Sequence, residues 1–67
     1  MIRITVNGKP RELDGATELP AFLQSLGVDI QFVAVAYNGE VLDREAYGRI
    51  VIQDGDVLEV VRPVGGG

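Results

Sequence analysis

Asp54-Gly55-Asp56-Val57-Leu58-Glu59-Val60-Val61-Arg62-Pro63-Val64-Gly65-Gly66-Gly67 ends the chain, and the fold turns on how this stretch is read. Gln53 and the Asp-Gly-Asp triplet form a tight-turn signal. Residues 57–62 then read as a strand, apolar at Val57, Leu58, Val60 and Val61 around a single Glu59. Pro63 has no N–H to give to a ladder, so the pairing is expected to stop there. Three glycines follow with no side-chain chemistry of their own. Glycine lacks a Cβ, so such a segment can extend and lie close to another backbone where any larger residue collides. At full extension three residues reach about 10 Å. The one reactive group of the tail is the terminal carboxylate of Gly67. A frayed end is the plain alternative for any terminus, and the rest of the chain decides between the two.

Working back to the start, Ile2, Ile4 and Val6 alternate with Arg3 and Thr5, the pattern of a half-buried strand. Asn7-Gly8 is the strongest short hairpin signal. A return strand is expected around residues 11–13, with Pro10 in the loop or at its start and Asp14-Gly15 ending it. Thr17 is the candidate helix N-cap, and Glu18 and Pro20 suit a first turn. Leu19, Phe22, Leu23 and Leu26 fall at i, i+3, i+4 and i+7, which makes one apolar stripe on a helix over residues 18–26. Gly27 stands where a helix terminator belongs.

After a connection over residues 28–32, Val33-Ala34-Val35-Ala36-Tyr37 predicts an inner strand, covered on one face and lined by small residues on the other. Asn38-Gly39 is a second turn signal, and residues 40–42 a short extension beyond it. Residues 43–48 read as polar and irregular, with room for one helical turn. Residues 49–52 suit a short edge strand.

Two strands, one helix and returning strands point to an α+β domain with the helix on one sheet face. If the last strand pairs parallel beside the first, both are central. The result is the β-grasp, or ubiquitin-like, fold: a mixed four- to five-stranded sheet packed against one helix. Residues 1–63 form that domain, and residues 64–67 a flexible glycine-rich tail. The tail leaves the sheet beside the Asn7-Gly8 hairpin and the loop of residues 27–32. With Leu58 and Val60 facing the helix, Glu59 faces outward with Val57 and Val61, alongside Thr5. An open sheet face beside such a tail is a natural docking patch, and its acidic residue suits a basic partner.

Composition narrows the chemistry. A chain of 67 residues buries only about 60% of its unfolded surface, so it forms one small domain. It contains no cysteine and no histidine. That removes disulfides, thiol nucleophiles and the commonest general base and metal ligand. Ten carboxylates, six Lys/Arg and two tyrosines remain, a poor inventory for an enzyme active site, and no metal site is expected. The net charge of −4 argues against a nucleic-acid partner. No apolar run approaches membrane-spanning length and no signal-peptide core is visible, so a cytoplasmic protein is expected. Lys9 is the single lysine, which leaves little scope for isopeptide chains built on this protein itself.

From Val33 onward the sequence resembles the ThiS family, the ubiquitin-like sulfur carriers of thiamine thiazole biosynthesis. The residues that carry the resemblance are 33–41, VAVAYNGEV, then Arg44 and the aromatic Tyr47. Asp54-Gly55-Asp56, the strand VLEVV of residues 57–61 and the terminal glycines complete it. Family members often have proline before the arginine and tryptophan at the aromatic position. Asp43 and Tyr47 stand there instead.

The resemblance implies a carrier that is a substrate of other enzymes, not an enzyme. A ThiF-like adenylating enzyme, using ATP and Mg, would convert the Gly67 carboxylate to an acyl-adenylate. Sulfur from a donor such as a cysteine desulfurase would then make a thiocarboxylate for a ThiG-like thiazole synthase. The implied roles are covalent modification at Gly67, threading of the tail by Gly65 and Gly66, and partner binding by Val57, Glu59 and Val61, with no cofactor held by the chain. The molybdopterin-synthase small subunit (MoaD-like), tRNA-thiolation carriers and ubiquitin-like modifiers that form isopeptides share the fold and the terminal Gly-Gly, and are the alternatives. A plain β-grasp interaction module is the third reading.

Overall fold

The computed structural model describes residues 1–62. β1 (Ile2–Val6) runs parallel to β7 (Val57–Val61), with Thr5 opposite Val57 and Val6 opposite Leu58. β2 (Lys9–Leu13) pairs antiparallel with β1 on its other side. β4 (Ala34–Tyr37) pairs antiparallel with β7, and β5 (Glu40–Val41) with β4. The sheet order is therefore β2-β1-β7-β4-β5, which places the closing strand at the centre.

Both hairpins close as expected from Asn-Gly. Asn7 and Gly8 have φ of 53° and 80°, and Asn38 and Gly39 have 51° and 87°. Two successive left-handed residues make the turn whose twist matches the flanking strands, and asparagine and glycine tolerate that backbone best.

α1 (Leu19–Ser25) lies on one face of this sheet. Its Leu19, Phe22 and Leu23 pack with Ile4, Val6, Val35 and Leu58, all buried, while Leu26 and Val60 pack half-buried at the margin. Alternation in the strands and the i, i+3, i+4 spacing in the helix place every one of these on the shared interface. Burying a side chain such as Leu23 contributes about 2 kcal/mol. The helix ends in a Schellman motif. Gly27 takes φ of 78°, its N–H bonds Gln24 at 3.0 Å, and the Val28 N–H bonds Leu23 at 3.4 Å. On β2, Arg11 extends over the Phe22 ring with its guanidinium carbon 5.9 Å from the centroid, roofing the helix edge.

Several local expectations are corrected. Thr17 is not the helix cap: its hydroxyl donates to the Gly15 carbonyl at 2.9 Å, and Thr17–Glu18 forms a short strand, β3. β3 pairs with β6 (Val51–Ile52) as a separate two-stranded sheet. The expected edge strand of residues 49–52 is therefore shorter and lies outside the main sheet. This bridge brings the Ile50 carbonyl to the Leu19 N–H at 3.0 Å, so a backbone group satisfies the helix start in place of a side-chain cap.

The return strand begins at Lys9, earlier than residue 11. Pro10 is tolerated within it because β2 is an edge. β4 starts at Ala34, Val33 lying buried just ahead of it. The stretch read as polar and irregular is a 3-10 helix, Arg44–Arg49, whose Tyr47 is buried in the core and donates to the Val33 carbonyl at 3.2 Å. A second 3-10 helix, Ile30–Phe32, lies in the connection before β4. The last strand ends at Val61, not Arg62. The expected stop at Pro63 and the tail of residues 64–67 lie outside the described residues.

Candidate functional site

β7 separates two surfaces by alternation alone. Leu58 is fully buried under the helix, while Val57 and Val61 are 47% and 57% exposed and Glu59 between them is exposed. The register shows what flanks them. Thr5 stands beside Val57, Ala36 beside Glu59 and Ala34 beside Val61. Val41, opposite Ala36 on the next strand, is 76% exposed. Residues directly opposite in a ladder share a face. Val57, Val61, Ala34, Ala36 and Val41 therefore make an apolar strip across β7, β4 and β5, with Glu59 in its midst. The expected trio of Val57, Glu59 and Val61 is brought together. The alanines keep the surface shallow, and Val41 is a member of the strip that the sequence pattern does not signal.

The two ends of β7 are fastened differently. At its start, Asp56 accepts from the Tyr37 hydroxyl at 2.5 Å, the Gln53 N–H at 2.8 Å and the Asn38 amide at 3.3 Å. Burial by itself raises the Asp56 carboxyl, but these hydrogen bonds outweigh it and hold the group below the usual carboxylate range. The same hydrogen bond, with burial and the Asp56 charge, pushes the Tyr37 phenol up to about 12. Asp54 accepts from the Arg3 N–H at 2.8 Å, and the Gly55 N–H donates to the Arg3 carbonyl at 2.8 Å. The Asp-Gly-Asp triplet thus acts as a buckle that ties the turn to β1 and to the β4–β5 hairpin.

At the exit end, Asn7 holds Val60. Its Oδ1 accepts from the Val60 N–H at 2.8 Å and its Nδ2 donates to the Val60 carbonyl at 3.1 Å. The Asn-Gly dipeptide signalled the turn, but nothing local signalled a clamp on a residue 53 positions away. Gly65, Gly66 and Gly67 lie beyond the described residues. Among the described residues, no group of three or more His, Cys, Asp or Glu is placed to hold a metal ion. No described helix is long and apolar enough to cross a membrane.

A five-stranded mixed sheet with parallel β1 and β7 at its centre and one helix across it defines a β-grasp, ubiquitin-like protein. The crystal structure of the thiamine biosynthesis protein ThiS from Geobacter metallireducens matches it with a TM-score of 0.85 and 40% identity, covering 98% of this chain and all of that one. The model of the ThiS family matches residues 4–67, and the chain belongs to that family.

The sulfur carrier protein ThiS of Thermus thermophilus is 43% identical over 65 residues, which span 96% of this chain and 98% of that protein. A thiazole synthase of Paramagnetospirillum magneticum is 36% identical over 66 residues. The alignment covers 98% of this chain but only 20% of that synthase. Tyr47, the aromatic residue noted in the sequence, lies inside the core and not on the exposed face.

Proposed function

We propose that this chain is a sulfur carrier of thiamine thiazole synthesis, acting as a substrate of partner enzymes in the cytoplasm. The observation that carries the reading is the ThiS-family match over residues 4–67, which includes the glycine end. In this reading the Gly67 carboxylate attacks the α-phosphorus of MgATP bound by a ThiF-like enzyme, releasing pyrophosphate. Sulfur from a persulfide donor, such as that of a cysteine desulfurase, displaces AMP. A thiol then cleaves the acyl disulfide, leaving a thiocarboxylate. Gly66 and Gly65 supply the slim approach to the adenylating site. The strip around Val57, Glu59 and Val61 docks the body. A ThiG-like thiazole synthase consumes the sulfur. In the Paramagnetospirillum protein a segment similar to this chain shares one polypeptide with a thiazole synthase, which supports that assignment.

The test is intact mass after incubation with a ThiF-type enzyme, MgATP and a persulfide donor. The expected product is heavier by the replacement of one oxygen by sulfur at Gly67. An isopeptide to a lysine, or no change, rejects the carrier reading. In single-turnover activation, Gly66→Val and a one-residue extension after Gly67 are expected to lose pyrophosphate release by about 100-fold or more, through steric conflict and displacement of the carboxylate. Both are expected to melt with the wild type. Wild-type rates in either variant exclude Gly67 as the reacting residue.

A further inference from the structure

The two Asn-Gly turns have nearly the same backbone but different bonds. Asn38 accepts from the Val57 N–H at 2.8 Å and donates to the Asp56 carboxylate at 3.3 Å, at the start of β7. Asn7 spends both halves of its carboxamide on one residue, Val60, near the end of β7. The backbone geometry explains the need. The Asn7 N–H still donates to the Leu58 carbonyl at 2.9 Å, but at Asn7 the chain turns back and β1 ends. The Val60 edge facing β1 would then have no ladder partner. The Asn7 side chain substitutes for the missing peptide group and carries the ladder one step further. On the other flank Val60 stands opposite Val35. Val60 is thus fixed from both sides, two residues before Arg62.

We infer that Asn7 is a positioning residue for the reaction at the glycine end. It fixes where the chain leaves the sheet relative to the part of the exposed strip that precedes it, at Val57 and Glu59. The inference rests on the carrier reading above. A partner that grips that strip and also receives the carboxylate needs a constant length of chain between the two. If Val60 and Val61 peel off, that length grows by about 7 Å at full extension. Misplacement of a reacting group by about 1 Å already costs up to 100-fold in rate. A requirement for the left-handed turn alone does not explain the two side-chain bonds, because glycine meets that requirement equally well.

Asn7→Gly keeps the turn and removes both bonds, while Asn7→Asp keeps only the acceptor. Single-turnover pyrophosphate release with a ThiF-type enzyme and MgATP is measured across carrier concentrations, alongside thermal melts and amide exchange at Val60. Asn7→Gly is expected to lower the saturating rate about tenfold, move the half-saturating concentration less than threefold, and speed Val60 exchange. Asn7→Asp is expected to fall between it and the wild type. Asn38→Gly, the same change at the other end of β7, is expected to lower the melting temperature by a similar amount and keep the saturating rate. The inference is overturned by a wild-type saturating rate in Asn7→Gly, or by an equal loss in Asn38→Gly. A wild-type chain that releases no pyrophosphate overturns the carrier reading instead, and this inference with it.

Discussion

The two faces of β7 differ by one position in a five-residue strand, yet they meet different surroundings. Leu58 is buried beneath α1 and Val60 is half-buried at the margin of the core. Val57, Glu59 and Val61 look outward over a sheet face lined by Ala34 and Ala36. The inward residues answer to a close-packed interior, where a lost methylene is felt as a cavity. The outward ones answer to no neighbour in the described residues that would demand valine. The difference teaches that core packing and the exposed surface can be varied separately here, residue by residue, because a strand's side chains alternate.

The largest expected effect is on the inward face. Leu58→Ala, or Leu23→Ala on the helix opposite, should cost about 2–5 kcal/mol. In so small a domain this approaches the whole stability. Urea melts followed by circular dichroism measure it. A variant that melts with the wild type would mean that the faces have been assigned the wrong way round. On the outward face, Val61→Asp should leave the melt within about 0.5 kcal/mol of the wild type, as an exposed substitution. It should lower pyrophosphate release about tenfold at subsaturating carrier, by placing an unpaired charge in a desolvated contact. Unchanged activation would remove this strip from the docking surface and leave only the inward half of the comparison.

The smallest effect is expected where β7 begins. Tyr37→Phe removes one hydrogen bond to a charged, partly exposed acceptor, worth about 1 kcal/mol. The sign of its pH dependence follows from the two shifts. Asp56 has its carboxyl lowered by folding, so its contribution is present above the ordinary carboxylate range and fades as pH falls through the lowered value. Tyr37 is raised from 10.0 to about 12, so its contribution is complete below pH 10 and is lost as pH rises toward 12. Wild type should therefore hold a plateau between roughly pH 4 and 10, and Tyr37→Phe should lie lower on that plateau and lack the alkaline decline. An unchanged alkaline limb in Tyr37→Phe would show that the phenol does not couple to folding.

Much of the site was legible because its signals are local. The alternation of residues 57–61 put Val57, Glu59 and Val61 on one side before any partner strand was known. The contribution of Ala34 and Ala36 was foreshadowed as a face of small residues. Val41 was not, because a two-residue strand carries too little pattern to show its orientation. Tyr47 reads as part of a polar stretch because its neighbours Arg44, Glu45 and Arg49 are charged. In the 3-10 helix Tyr47 is buried while Arg44, Glu45 and Arg49 stay exposed.

By itself the sequence determined the hairpins at Asn7-Gly8 and Asn38-Gly39, the helix stripe, the alternation of the strands and the glycine end. Each rests on the conformational preferences and periodicity of residues adjacent in the chain. Only the tertiary structure decided that Thr17 and Glu18 pair with Val51 and Ile52, and that the Ile50 carbonyl caps the helix. It likewise decided that Asp54 and Asp56 buckle the start of β7 and that Asn7 holds its exit. Those contacts join residues from about 20 to more than 50 positions apart. Their free energy exists only after the intervening loops have been closed, so no local pattern records them.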